Sequence, residues 1–197
     1  MGALHPAWQV EKDRFELTLR LIAVEARTHT IKQCTGLSDD RIRKIYGRYF
    51  KGRHGITARR RRGKSPRQIS HFVKNAERQS QATTLFYLFC ATGLLTVRHC
   101  GSAVARWPCP DVEYGHRICR AYDTYRLLYD KPMYNFEWTW ALLQAVSRCD
   151  ELRLASCGRC AILYVQDSFA IDLGCCPSCE IVAEQTRRPG ARCYSRA

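Results

Sequence analysis

The sequence predicts a mainly α-helical body followed by a small cysteine-based module, and three patterns predict it. Apolar residues recur three and four apart along most of the chain before residue 150. Within that body a Gly36-Leu37-Ser38 turn leads into a strongly basic helical pattern. Near the end, Cys157-Gly-Arg-Cys160 and Cys176-Pro-Ser-Cys179 enclose fifteen residues, the spacing of four thiolates on one tetrahedral zinc ion. At 197 residues the chain divides into a helical body over 1–150, a zinc-ribbon module over 151–185 and a basic tail over 186–197.

Glu11 to Arg27 carries Phe15, Leu19, Ile22, Ala23 and Ala26 on one stripe, widened by Leu17, Leu21 and Val24. So broad an apolar face packs on at least two neighbours, another chain being one candidate. A short helix around Ile31 and Cys34 then breaks at Gly36, where a positive φ is free of steric cost. Leu37 turns inward, and Ser38 caps a second helix whose first turn carries Asp39 and Asp40 beside the positive dipole end. That helix buries Ile42, Ile45, Tyr46 and Phe50 and exposes Arg41, Arg43, Lys44 and Arg48. Helix, turn and basic helix make a helix-turn-helix-like unit, the competing reading being an ordinary helical hairpin with a solvated basic face.

Lys51 to Lys64 has no apolar period and three glycines, so a loop is expected here, with Arg59, Arg60, Arg61 and Arg62 in a run. Such an arm lies along phosphates or in a narrow minor groove, unless it is simply solvated. Ser65-Pro66-Arg67-Gln68 carries a helix start, with Ile69, Phe72, Val73 and Ala76 inward, and the pattern continues or restarts through Leu85, Phe86, Leu88 and Phe89 to stop at Gly93. A looser stretch with Pro108 and Pro110 precedes a helix from His116 to Tyr129. After Pro132 another helix, Phe136 to Val146, carries Trp138, Trp140, Leu142 and Leu143 into the core.

Between the cysteine pairs, Ala161 to Val165 and Phe169 to Leu173 read as two short strands joined by Gln166-Asp167-Ser168. A hairpin returning one cysteine knuckle to the other is a zinc ribbon. Four thiolates leave no open coordination position, so the zinc, one per chain, is structural and supplies folding free energy that so small a module lacks. Either Cys175 or Cys176 could ligate with Cys179; Cys176 is favoured because it completes the C-P-x-C knuckle. Two redox-active CxxC pairs are the competing reading, disfavoured because no βαβ pattern surrounds either pair.

The net charge is +14. From Arg41 to Arg67 there are twelve Lys or Arg and no Asp or Glu, a density that points to a polyanion, nucleic acid first. Twelve cysteines would suggest disulfides in an exported chain, but the first thirty residues are charge-rich with no continuous apolar stretch. The expected compartment is therefore the reducing cytoplasm. The uncharged run Gln79 to Val97 opens on polar residues and reads as a buried helix, so no membrane partner is expected. The six histidines are scattered and no nucleophile, phosphate loop or paired-carboxylate motif is recognisable, so no catalytic residue and no enzyme is expected.

In this order the parts resemble the FlhC family, the C subunit of the bacterial flagellar master transcription activator. The resemblance covers residues 10–182. It rests on the early amphipathic helix, Leu37-Ser38 leading to Arg41-Ile-Arg-Lys-Ile-Tyr46, the helix ending Phe89-Cys-Ala-Thr-Gly-Leu94, Arg120-Ala-Tyr122 and, most specifically, the cysteine quartet. It implies a helical protein with zinc on Cys157, Cys160, Cys176 and Cys179, and assembly with FlhD as a heterohexamer of two C and four D subunits. It also implies binding to promoter DNA of flagellar genes and recruitment of RNA polymerase. Beside it stand an RNA-binding or ribosome-associated zinc-ribbon protein and a purely structural adaptor.

Overall fold

A computed structural model describes residues 6–51, 58–59, 68–98, 103–105, 109–148, 151–170 and 174–186. Among them are seven α-helices and two antiparallel hairpins, so the chain is mainly helical as its periodicity predicts.

Helix α1 (Pro6–Ala23) ends four residues before the expected Arg27, because Glu25 takes a positive φ of 59° and turns the chain. Helix α2 (Thr28–Thr35) stops at Gly36, whose φ of 68° is the left-handed cap expected there. Its start has no cap of its own. Arg27, the residue before the helix, offers no side-chain acceptor, and Glu137 supplies one from 110 positions away: its Oε1 accepts from the Arg27 backbone N–H at 2.8 Å and from the Thr30 hydroxyl at 3.1 Å. The Arg27 guanidinium stands 3.6 Å from the other oxygen of this buried carboxylate.

Ser38 caps α3 (Asp39–Tyr49), its hydroxyl accepting from the Arg41 N–H at 3.4 Å. Ile42, Ile45 and Phe50 are buried and Tyr46 half-buried, joining Leu17, Leu21, Ile31 and Cys34 in the core. Helix α5 (Val112–Leu128) crosses α1 at Gly115, where a Cβ would sit 2.5 Å from a Leu17 methyl carbon and 3.1 Å from the Cys34 Cβ. It begins four residues before the expected His116, because Asp111 caps it by accepting from the Tyr114 N–H at 2.8 Å.

The helix start expected at Ser65 falls on residues 65–67, outside the described ones. Past it the chain makes only a 3-10 turn, Ile69–Phe72, before a fresh start: Asn75 caps α4 (Ala76–Ala91) by accepting from the Arg78 N–H at 2.9 Å. Of the two expectations, a continued or a restarted helix, the structure has the restart, set by a local cap. Helix α4 stops at Gly93, φ 73°, where Arg117 Nη1 donates to the Thr92 carbonyl at 2.7 Å. The loose stretch expected next contains a small hairpin, β1 (Leu95–Val97) against β2 (Ala103–Ala105). Helix α6 (Phe136–Arg148) brings Phe136, Trp140, Leu142 and Leu143 into the core, with Trp138 at its edge. Gln81 is the buried polar centre: its Oε1 accepts from the Tyr125 hydroxyl and from the Met133 N–H, and so needs no water.

Strand β3 (Leu152–Ser156) pairs antiparallel with β4 (Leu163–Asp167), from Leu152 opposite Asp167 to Ser156 opposite Leu163. This corrects the expected hairpin: the strand after the first cysteine pair folds back on the residues before it. Phe169 is 83% exposed in a turn, while Leu152 and Val165 are fully buried against the helical body. Residues 171–173 lie outside the described ones. The second cysteine pair opens a helix, α7 (Pro177–Thr186).

Candidate metal centre and basic surface

The turn between β3 and β4 carries Cys157 and Cys160. It is closed by Cys157 N–H to the Ile162 carbonyl at 3.0 Å and Ala161 N–H to the Cys157 carbonyl at 2.8 Å, with Ala161 at φ 58°. Gly174, also at positive φ, returns the chain so that its carbonyl accepts from the Gly158 N–H at 2.8 Å. A Cβ on Gly158 would meet that same carbonyl oxygen at 3.1 Å, so the close approach of the two arms depends on a glycine there. Cys176 precedes α7 and Cys179 lies in its first turn. Pro177, as the first helical residue, gives up an N–H that has no helical partner in any case.

The four sulfurs of Cys157, Cys160, Cys176 and Cys179 lie within 4.8 Å of one another, Cys160 and Cys176 at 3.6 Å. A zinc ion with bonds of about 2.3 Å requires sulfurs about 3.8 Å apart, so the cluster fits a tetrahedral metal with little adjustment. The Cys175 thiol instead faces the Cys176 carbonyl at 3.7 Å and stands outside the quartet, which decides between the two neighbours.

Backbone N–H groups complete the site. Those of Cys176 and Arg159 donate to the Cys157 sulfur at 3.2 and 3.4 Å, and that of Cys179 to the Cys176 sulfur at 3.4 Å. Burial pushes the Cys157 thiol up, but the N–H groups of Cys176, Cys160 and Arg159 outweigh it and bring the thiol down to about 6. The Cys179 thiol is pushed up to about 12, chiefly by its hydrogen bonds to Cys160 and Cys176. A cluster holding protons this way releases them when a metal binds. Four sulfurs also leave no vacant coordination position, so the arrangement suits a structural metal ion.

The module is fastened to α4 by one row of side chains. Gln79 Nε2 donates to the Val165 carbonyl at 2.9 Å, Thr83 Oγ1 accepts from the Val165 N–H at 3.1 Å, and the Tyr87 hydroxyl donates to the Leu163 carbonyl at 2.8 Å. These residues, four apart, satisfy the outer edge of β4 as a neighbouring strand would.

On α3, Arg41, Arg43, Lys44 and Arg48 are all exposed. Their surroundings differ in a way the charge count does not reveal. Arg41 Nη2 lies 2.6 Å from Glu11 of α1, Arg43 lies 3.0 Å from Asp40, and Lys32 of α2 lies 3.3 Å from Asp39. Arg48 instead stands over the Tyr49 ring at 5.8 Å. Arg59 is brought beside this helix: the Ala58 carbonyl accepts from the Tyr46 hydroxyl at 2.9 Å, and the Arg59 N–H donates to Glu25 at 3.4 Å. Arg60, Arg61 and Arg62 lie outside the described residues. Sequence reasoning passed over Glu11 and Asp40 as partners, although Asp40 and Arg43 stand three apart on one helix, a spacing at which side chains meet.

Among the described residues no helix is long and apolar enough to cross a membrane. Neither the family models nor the curated proteins compared with this chain match it.

Proposed function

We propose that this chain is the DNA-binding subunit of a transcription activator of the FlhC kind, acting with FlhD on flagellar promoters and recruiting RNA polymerase. The observation that carries the reading is the α2–turn–α3 unit, whose second helix buries one apolar face and presents Arg41, Arg43, Lys44 and Arg48 on the other, with Arg59 pinned alongside. A helix set on its partner in this way can enter a major groove while its cations meet phosphates. The four-cysteine module supports the reading as a structural zinc site at the tip of a hairpin that docks on α4.

The test is a salt-titrated binding assay on the chain co-expressed with FlhD, with a flagellar promoter duplex against a scrambled one and zinc measured on the same sample. Promoter preference at physiological salt with about one zinc per chain is the expected result. Equal, steeply salt-dependent binding to both duplexes would reduce the claim to non-specific polyanion affinity, and preference for structured RNA would overturn it in favour of an RNA-binding protein.

A further inference from the structure

Gly47 sits inside α3, three residues after Lys44 and one before Arg48, on the exposed side of the helix. Glycine weakens a helix relative to alanine and is usually held there by a positive φ or by close packing. Neither applies. Gly47 is not among the glycines with positive φ, and a methyl group built on it would meet nothing within 4 Å. Gly115 in α5 shows the contrasting case, since its missing side chain leaves the room that Leu17 and Cys34 fill. Nothing within the described chain covers Gly47, so a second molecule can approach the helix backbone closely there.

The charges around this position say what that molecule is. At the N-terminal end of the helix Glu11 holds Arg41 and Asp40 holds Arg43, and on the flank by Tyr46 Glu25 accepts from the Arg59 N–H. Toward the C-terminal end Lys44 and Arg48 are exposed, as is Lys51 just past the last turn, its N–H bonded to the Tyr46 carbonyl at 3.2 Å. Among the described residues none of these three has a carboxylate partner. A bare stretch of backbone ringed by uncompensated cations fits a close-lying chain of negative charges.

We propose that Gly47 is the point at which α3 presses its backbone against the phosphodiester backbone of duplex DNA, with Lys44, Arg48 and Lys51 neutralising the flanking phosphates and Arg41 and Arg43 held back by their carboxylates. This rests on the DNA-binding reading and says which part of the helix makes the contact. A side chain at 47 stands the helix off the duplex and carries all three cations away from their phosphates together.

The experiment uses the full chain co-expressed with FlhD, a promoter duplex read by fluorescence anisotropy over a salt series, and thermal melting of each variant. Gly47→Ala is expected to melt higher, because alanine is the better helix former, while binding about tenfold more weakly through the weakened phosphate contacts. Gly47→Gln extends the loss. Lys44→Ala and Lys51→Ala each flatten the salt slope by about 0.9, whereas Arg41→Ala and Arg43→Ala flatten it by less than about 0.3, since an arginine already neutralised displaces few counterions. A thermostable Gly47→Ala variant that binds as tightly as the parent overturns this inference and leaves the DNA-binding reading standing, as do equal slope changes at all four cations. A parent complex with no affinity for duplex DNA overturns both.

Discussion

Removing the Glu137 carboxylate tests how the candidate DNA-binding unit is held to the rest of the molecule. Glu137 is 2% exposed, yet its Oε1 caps α2 from α6 by accepting from Arg27 N–H and the Thr30 hydroxyl, and its Oε2 faces the Arg27 guanidinium at 3.6 Å. Glu137→Ala leaves a largely buried guanidinium without its counter-charge and two donors without their acceptor. Breaking a buried pair from one side costs about 3–5 kcal/mol, a large share of the roughly 5–15 kcal/mol that stabilises a folded domain. For a chain of this size that corresponds to a fall in Tm of about 10 °C. Urea unfolding followed by far-UV circular dichroism measures it, and an unchanged m-value assigns the loss to the native state. Glu137→Gln keeps an oxygen for the two donors and loses only the charge, so it should fall between. The pair Glu137→Leu with Arg27→Met removes both charges and should recover only the share owed to the stranded guanidinium, because the Arg27 N–H and the Thr30 hydroxyl still lack their acceptor. A cost below about 1 kcal/mol for Glu137→Ala would refute the reasoning, since it would mean that water already serves the three groups.

Cys176→Ser should abolish metal binding while Cys175→Ser retains it, measured by metal analysis of the purified chain, because of the two neighbours only the Cys176 sulfur lies in the quartet. Metal retention should fall with acidification, since every ligand must shed its proton to bind. Gly115→Ala should cost about 1–3 kcal/mol by overpacking against Leu17 and Cys34, read from the same urea midpoints. His71 stacks on Trp138 at 4.0 Å, and its Nε2 accepts from the Arg78 guanidinium at 2.6 Å. Burial, then Arg78 and Lys74, hold its pKa below the usual value, so the neutral ring stabilises the fold and that contribution is lost as pH falls below about 6.5. His71→Phe should flatten the stability profile below about pH 6.5, and an unchanged profile would count against the assignment.

Wherever the cause of a feature lies within a few residues of it, the sequence is a sufficient guide. Gly36 ends α2, Ser38 and two aspartates start α3, Gly93 ends α4, and the cysteine spacing marks the metal ligands, all from local chemistry. The misread features have distant causes. The cap of α2 comes from α6, which no local pattern announces. The strand after Cys160 had two partners of similar apolar character. The choice fell to the segment whose alternation places Leu152 against the body and Arg153 in solvent, a pattern legible beforehand in Leu-Arg-Leu. The helix after Cys176 was hidden by reading C-P-x-C as a turn, although Pro177 is as natural at the first position of a helix.

The row Gln79, Thr83 and Tyr87 shows why a burial pattern alone would misplace the cysteine module. In the sequence the polar residues at the start of this run serve only to argue against a membrane span. In the fold they provide the contact by which the helical body receives β4, exchanging hydrogen bonds with backbone groups of Leu163 and Val165 that an unpaired strand edge would leave to water. Leu152 and Val165 belong to the same apolar core as the helices, while Cys157, Tyr164 and Cys176 form a separate small cluster around the metal site. The module is therefore held by α4 along its edge, and its tip is where the four cysteines could hold a metal ion. Chelation should loosen the tip and α7 first, leaving Val165 docked and α3 in place on α1 and α2. A DNA-binding defect in a cysteine variant would then have to be traced to the C-terminal module itself, because the basic helix draws its position from Ile42, Ile45 and the turn at Gly36, not from the metal.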